Sequence, residues 1–141
     1  MTTLYTAHAT STHGREGHAS TDDKLIDLDL ATPGGNKKGS NPEQLFACGY
    51  AACFGSAVEY VAKLKKLSAG DVTVKSDVSL NKDEGGFSIA VKLNVSIAGL
   101  DAKTTREVVT EAHKVCPYSK ATRGNIQVEL QVDGETLAKA A

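Results

Sequence analysis

The sequence predicts an α+β fold in which helices pack against an antiparallel sheet. Three observations support this prediction: a long helical stretch that begins after Asn41, two alternating apolar runs that follow it, and a second helical stretch that ends at Pro117. Strands and helices that follow one another in such separate runs are typical of α+β domains. The chain has 141 residues, of which 40% are apolar, so we expect a single domain over residues 1–141 with its own core.

The first third of the chain is predicted to form short strands joined by polar turns. The segment LYTAHA precedes the turn THGREG, and the segment KLIDLDLA then alternates apolar residues with aspartates, which is the period of a half-buried strand. The glycine-rich segment TPGGNKKGS (residues 32–40) has neither the spacing of a P-loop nor that of a dinucleotide fingerprint. We therefore predict that it is a connection and not a phosphate site.

The long helix has a well-marked beginning. Asn41 can cap its N-terminus, Pro42 suits the first helical position, and Glu43 lies favourably at the positive end of the helix dipole. The lysines near its other end suit a helix C-terminus before Gly70. An apolar stripe runs along this helix at spacings of three and four residues. Its members are Phe46, Tyr50, Cys53, Ala57, Val61 and Leu64.

The second half of the chain is predicted to form a hairpin, a helix and a strand. Residues 72–80 and 87–97 alternate with period two on either side of the turn NKDEGG, which indicates an antiparallel hairpin. Asp101 can cap the second helix. Pro117 should end that helix at Cys116, because a residue before proline disfavours helical geometry. The segment NIQVELQV (residues 125–132) then returns as a strand.

Charge and composition argue against several classes of partner. The chain has 16 Lys and Arg and 17 Asp and Glu, so its net charge is close to zero. We therefore expect neither nucleic acid nor an anionic membrane as a partner. We find no apolar run close to the roughly 20 residues of a membrane span and no secretory leader, which predicts a cytoplasmic location. The four histidines show neither zinc-finger spacing nor an HExxH motif, so we expect no metal site. We also expect no bound cofactor.

The three cysteines are the chemically active side chains that the sequence offers. Cys53 lies on the apolar stripe among the small residues of GYAACFGSA, where a substrate could approach closely. Cys116 lies at the predicted helix break, where a thiol can move without loss of many hydrogen bonds. Cys48 precedes Cys53 by five residues, about 140° around a helix, so we expect it to be a bystander. A small buried side chain with no chemistry remains an alternative for Cys53.

A reactive Cys53 would need a nearby cation or hydrogen-bond donor, because the thiolate is the nucleophile. Arg15 in the turn GREG is the candidate, and Glu43 could hold its guanidinium in a bidentate pair. Each residue also has a purely structural explanation. Glu43 and Cys53 are ten residues apart, about 15 Å along a straight helix. Either the helix bends near Gly49, or the pair from one subunit serves the thiol of another in a symmetric dimer.

Three segments resemble a known family. NPEQLFACGYAACF, VCPYSKATRGNI and GREGHASTDDKLIDLDLATP are similar to the organic hydroperoxide resistance (Ohr) branch of the Ohr/OsmC family, and the resemblance spans nearly the whole chain. It implies an Ohr/OsmC-like fold in an intertwined homodimer. It further implies a thiol-dependent peroxidase that reduces organic and lipid-type hydroperoxides. Its electrons would come from dihydrolipoamide or from lipoylated proteins.

The resemblance also implies a role for four residues. Cys53 would be the peroxidatic and Cys116 the resolving cysteine, while Arg15 would orient the peroxide and Glu43 would hold Arg15. Cys48 occupies a place where a small residue such as alanine is expected. An OsmC-type peroxidase of broader substrate range and a non-enzymatic thiol redox sensor are the alternatives. We further expect an apolar groove near Cys53. Its predicted lining residues are Phe46, Tyr50 and Tyr118.

Overall fold

The computed structural model describes residues 1–137 and confirms the α+β prediction. The chain forms two compact units, Met1–Leu45 and Phe46–Ala141. The first unit contains a three-stranded sheet, and the second contains a four-stranded sheet with two helices of its own. Helix α1, Pro42–Leu64, begins in the first unit and continues in the second. The prediction of a single domain stays a prediction.

The first unit is an antiparallel sheet in the order β1-β2-β3. Its strands are Ala9–Thr12, His18–Thr21 and Asp27–Asp29. The predicted strand over LYTAHA is wrong except for its last residue, because only the four residues from Ala9 onwards find a partner strand across the turn. Residues 32–39 form the predicted connection, closed by a bridge between Leu30 and Ser40.

A single 3-10 turn, Gly14–Glu16, joins β1 to β2. His13 and Gly14 both have positive φ angles, and a Cβ atom on Gly17 would lie 1.8 Å from the carbonyl oxygen of Thr12. Only glycine fits at position 17, because no side chain can occupy a space already filled by backbone. The turn that carries Arg15 therefore depends on this local geometry.

Helix α1 begins as predicted, because the side-chain oxygen of Asn41 accepts a hydrogen bond from the backbone N–H of Gln44. Six of its residues are buried in the second unit. In the described part of the chain α1 is the one helix long and apolar enough to cross a membrane, which the sequence analysis did not foresee. The core helix of a globular protein meets the same criterion. The buried residues are Tyr50, Phe54, Ala57, Val58, Val61 and Ala62.

The sheet of the second unit has the order β4-β5-β6-β7. Strands β4, Val72–Asp83, and β5, Gly86–Ile97, form the predicted hairpin. Strand β6, Val128–Val132, pairs in parallel with β5, and β7, Glu135–Thr136, returns antiparallel to β6. The parallel pair is a departure from the predicted antiparallel sheet. It arises because a helical connection between β5 and β6 brings the chain back to the same end of the sheet.

Two helices form that connection. Helix α2, Ala102–Val115, is capped by the Asp101 carboxylate, which accepts a hydrogen bond from the N–H of Thr104. Pro117 ends α2 as predicted and also starts a third helix, α3, Pro117–Thr122, because proline suits the first helical position. Cys116 is the one extended residue between the two helices. The core beneath them contains Val58, Leu93, Val95, Val108, Val109 and Leu130.

Candidate active site

Cys53 and Cys116 lie next to each other in the second unit. Cys53 lies in the middle of α1, and Cys116 lies between α2 and α3. Both are free thiols, and their sulfur atoms are 3.7 Å apart. Cys116 is fully buried, whereas Cys53 is partly accessible. One thiol is therefore open to a reagent, and the other is in direct contact with it.

The surroundings of Cys53 within this unit favour the neutral thiol. Burial raises the pKa of Cys53, and the hydrogen bond and charge of Cys116 raise it further. The backbone N–H of Tyr118 opposes them, because its hydrogen bond favours the thiolate. No cation of the described part of the chain contributes to the shift. Within this unit the surroundings of Cys53 therefore favour the thiol over the thiolate.

A buried polar network lies beside the two cysteines, and the sequence analysis missed it. The hydroxyl oxygen of Ser119 is 2.9 Å from Nδ1 of His113 and 2.9 Å from the hydroxyl oxygen of Tyr50. The Tyr50 hydroxyl also lies 3.2 Å from that of Thr122. All four residues are buried. Hydrogen bonds among buried groups offset the cost of taking those groups out of water.

Cys53 opens onto an apolar depression of about 340 Å³. Tyr60 and Val115 form part of its wall, and each is about half exposed. No sequence pattern indicates these wall residues, because their approach to Cys53 depends on how α1 packs beside the end of α2. An alkyl group could bury apolar surface here next to the sulfur. The other lining residues are Ser56, Ala57 and Pro117.

The three residues predicted to line a groove near Cys53 lie together, but none of them lines the depression described above. Phe46 and Tyr118 line a second cavity of about 390 Å³, together with Ile89 and Ile126. Tyr50 is fully buried, and its ring packs against those of Phe46 and Tyr118. A substrate-binding role for these aromatic residues stays a prediction.

In the first unit, Arg15 and Glu43 form a bidentate ion pair. Arg15 Nη1 donates to Glu43 Oε2 at 2.8 Å, and Arg15 Nη2 donates to Glu43 Oε1 at 2.6 Å. The hydrogen bond from Arg15 is the main reason that the pKa of Glu43 lies below its usual value. Both Glu43 oxygens are occupied, so the bidentate pair fixes the plane of the guanidinium.

The Arg15 turn is fastened to the connection that follows β3. A carboxylate oxygen of Glu16 accepts hydrogen bonds from the backbone N–H and the hydroxyl of Thr32. The ammonium group of Lys37 donates to the carbonyl oxygen of Glu16 at 2.7 Å. These contacts hold the residue next to Arg15 in place.

The structure thus brings the predicted site residues together in two pairs, each within its own unit. Cys53 contacts Cys116, and Arg15 contacts Glu43. Helix α1 continues without a break through Gly49. Cys48 is exposed. Among residues 1–137 no group of three or more His, Cys, Asp or Glu side chains could hold a metal ion.

Comparisons with known proteins agree on one family. The family model described as OsmC-like protein matches residues 34–131. The organic hydroperoxide resistance protein of Xanthomonas axonopodis pv. citri is 51% identical over 132 residues, which cover 90% of this chain and 93% of that protein. OhrB of Bacillus subtilis, also named an organic hydroperoxide resistance protein, is 49% identical over 92% of this chain and 98% of its own length.

Solved structures give the same result. The crystal structure of Bacillus subtilis OhrB matches with a TM-score of 0.88 at 48% identity and covers 92% of this chain and 99% of that one. An organic hydroperoxide resistance protein from Vibrio cholerae matches with a TM-score of 0.90 at 45% identity, over 97% of both chains. The chain therefore belongs to the OsmC-like family and, within it, to the organic hydroperoxide resistance branch that its motifs resemble.

Proposed function

We propose that this protein is a thiol peroxidase that reduces organic hydroperoxides to alcohols and so protects against oxidative stress. The observation that carries the proposal is the 3.7 Å contact between the sulfur atoms of Cys53 and Cys116, one accessible and one buried. The names of the relatives support the class of substrate, because they are organic hydroperoxide resistance proteins. An OsmC-type enzyme of broader range is the nearest alternative.

The proposed reaction has two thiol steps. The Cys53 thiolate attacks the distal oxygen of ROOH, the O–O bond breaks, and the leaving alkoxide takes a proton to become ROH. Cys53 is then a sulfenic acid. The Cys116 thiol displaces its hydroxyl group as water, which leaves a Cys53–Cys116 disulfide. The oxidation equivalent of the peroxide thus ends in one S–S bond.

Reduction of that disulfide completes the cycle. A dihydrolipoyl dithiol, free as dihydrolipoamide or attached to a lipoylated protein, attacks the disulfide through a mixed disulfide. The dithiol leaves as cyclic lipoyl disulfide, and both cysteines regain their thiol protons. Because the reductant is external, the protein itself binds no cofactor in this scheme. The cycle needs a reducing compartment, which fits the proposed cytoplasmic location.

Arg15 supplies the cation that the thiolate requires. The raised pKa of Cys53 leaves a role for a guanidinium, which would stabilise the thiolate and bind the peroxide oxygens. Glu43 holds that guanidinium in a bidentate pair. The ten-residue spacing of Glu43 and Cys53 in the sequence supports a symmetric homodimer, in which the pair from one subunit serves the thiol of the other.

The apolar surroundings of Cys53 favour organic substrates over hydrogen peroxide. An alkyl chain gains about 0.8 kcal/mol for each CH₂ that it buries, whereas hydrogen peroxide has no apolar surface to bury. Lipid-type hydroperoxides fit this preference. The depression beside Cys53 is apolar enough to hold such a chain close to the sulfur.

Turnover with different reductants tests the proposal. We expect many turnovers of cumene hydroperoxide per protein with dihydrolipoamide, and far slower turnover with reduced glutathione, a monothiol. Formation of one disulfide per subunit, with no further turnover in the presence of either reductant, would contradict the peroxidase and favour a redox sensor. Rapid turnover with glutathione and none with dihydrolipoamide would leave the peroxidase standing and overturn the proposed electron donor.

A further inference from the structure

The junction between α2 and α3, which carries Cys116, is bridged by a hydrogen bond between side chains that lie before and after it. The backbone N–H of Cys116 completes α2 by donating to the carbonyl of Ala112, and its own carbonyl accepts from the N–H of Lys120 in α3. His113 lies three residues before Cys116 and Ser119 three residues after it. The hydrogen bond between these two side chains therefore spans the one extended residue and fixes the angle between the helices.

A second hydrogen bond links Ser119 to α1, the helix that carries Cys53. The hydroxyl of Ser119 also bonds to that of Tyr50, which lies three residues before Cys53 on α1. Tyr50 is thus about one helical turn from Cys53. Thr122 adds a further contact to the Tyr50 hydroxyl. The backbone on either side of Cys116 is linked through one serine oxygen to the backbone next to Cys53.

The network is buried, and its surroundings favour the uncharged forms of His113 and Tyr50. Burial, and then the positive charge of Arg123, lower the pKa of His113 and so favour the neutral imidazole. Burial likewise raises the pKa of Tyr50 and keeps its hydroxyl protonated. Neutral groups that satisfy one another in a low-dielectric interior form strong, directional hydrogen bonds. Loss of one such group leaves its partners unpaired.

We propose that Ser119 is a positioning residue for the disulfide-forming step: through His113 and Tyr50, its hydroxyl holds Cys116 where the thiol can reach the oxidised sulfur of Cys53. This inference rests on the proposed function. In that step the Cys116 thiol attacks the Cys53 sulfenic acid, the S–O bond breaks, and water leaves. The sulfur atoms, now 3.7 Å apart, must approach to about 2.05 Å.

The role of Ser119 is separate from the reaction of Cys53 with peroxide. Its hydrogen bonds go to Tyr50 and His113, whereas the backbone donor that faces the Cys53 sulfur belongs to Tyr118. Removal of the hydroxyl frees the α2–α3 junction and lowers the fraction of time in which the two sulfurs are aligned. Misplacement of a reacting group by about 1 Å can slow a reaction about a hundredfold.

Single-turnover kinetics of Ser119→Ala test the proposal. One equivalent of cumene hydroperoxide oxidises the reduced protein, and quenched samples are analysed by mass for sulfenic acid trapped with dimedone and for disulfide. We expect loss of peroxide at the wild-type rate within about threefold, disulfide formation slowed about tenfold or more, and an increased dimedone adduct. Ser119→Thr, which keeps the hydroxyl, should restore most of the rate. Equal disulfide rates in wild type and a folded Ser119→Ala protein would overturn the proposal.

Ser96→Ala is the control, because the Ser96 hydroxyl donates a side-chain hydrogen bond to Asp133 and neither residue is part of the network. Its disulfide should form at the wild-type rate. If Ser96→Ala slowed that step as much as Ser119→Ala, the effect would be general loosening of the fold, and the positioning role would be wrong.

A thiol–disulfide equilibrium tests the same role without peroxide. Oxidised glutathione takes two electrons from the Cys53 and Cys116 thiols and becomes two reduced glutathione molecules, so a glutathione buffer measures how readily the pair closes. We expect the equilibrium constant for closure to fall about tenfold in Ser119→Ala and in Tyr50→Phe, which keeps the ring. Unchanged closure in both variants would overturn the proposal even if the protein proved not to be a peroxidase. If the wild-type protein did not reduce cumene hydroperoxide, the proposed function would instead be contradicted.

Discussion

The sulfur atoms of Cys53 and Cys116 are 3.7 Å apart, although 63 residues separate the two cysteines in the chain. The contact exists because the middle of α1 packs beside the junction of α2 and α3. The two thiols are in contact, but no covalent bond joins them. Little movement is needed to join them once Cys53 has been oxidised.

Glu43→Gln should weaken the proposed activation of Cys53. Glutamine keeps the size of the side chain but removes the charge that holds Arg15 in a bidentate pair. A guanidinium that is no longer held in place is misaligned with the thiolate and the peroxide, so kcat/KM for cumene hydroperoxide should fall about tenfold or more. Glu111→Gln, which breaks an exposed pair with Lys114, is the control and should have little effect. Equal losses in both variants would argue against a specific role for Glu43.

Val115→Ser should reduce the preference for long alkyl chains. Val115 is half exposed and forms part of the apolar wall beside Cys53. Each CH₂ that a substrate no longer buries costs about 0.8 kcal/mol, or about fourfold in rate. Rates with a long-chain hydroperoxide should therefore fall several-fold, while the rate with hydrogen peroxide should not change.

Leu80→Ser supplies the comparison for Val115, because Leu80 is an exposed apolar residue on β4 that does not line the depression at Cys53. It should leave the dependence on chain length intact. If Val115→Ser changed the rates with both peroxides by the same factor, a role in binding the alkyl chain would be excluded.

His18 should make the first unit more stable in mild acid. Hydrogen bonds to Asp29, and then to Asp27, raise the pKa of His18. The stabilisation is therefore fully present below the ordinary histidine pKa of about 6.5 and is lost as the pH rises through the higher folded value. We expect an NMR titration to give a pKa for His18 above 6.5. The stability difference between wild type and His18→Gln should shrink as the pH rises, and a titration at or below 6.5 would contradict this account.

Gly17→Ala should disrupt the turn that carries Arg15. The added Cβ would lie 1.8 Å from the carbonyl oxygen of Thr12, far inside van der Waals contact, so the backbone must shift. The rate of hydroperoxide reduction should fall, and the NMR cross-peaks between paired residues of β1 and β2 should weaken. Gly35→Ala is a milder control, because its Cβ would lie 3.2 Å from the Thr32 carbonyl oxygen. A folded and fully active Gly17→Ala protein would show that the turn tolerates displacement.

Much of the fold could be predicted from the sequence because its signals are local. The Asn41 and Asp101 caps, the break at Pro117 and the period of the β4–β5 hairpin all depend on neighbouring residues, and the structure confirms them. The parallel pairing of β6 with β5 could not be predicted in this way. It depends on the path of the chain through α2 and α3.

For the candidate site as well, the sequence indicates some residues, whereas others depend on how distant elements pack together. The two cysteines, Arg15 and Glu43 were candidates from the sequence itself, the resemblance implied their roles, and the structure brings them together in pairs. The network around Ser119 was missed, because its members come from three helices whose packing no spacing reveals. Tyr50 was predicted to line a groove, yet it lies on the side of α1 that enters the core and is fully buried.

The measurement that most directly tests the central claim is steady-state reduction of cumene hydroperoxide with dihydrolipoamide in the wild type and in three variants: Cys53→Ser, Cys116→Ser and Cys48→Ser. The Cys53–Cys116 cycle predicts that turnover is lost in the first two variants and kept in the third, since Cys48 is exposed and makes no contact in the proposed cycle. Sustained wild-type turnover in Cys53→Ser, or loss of turnover in Cys48→Ser alone, would contradict it.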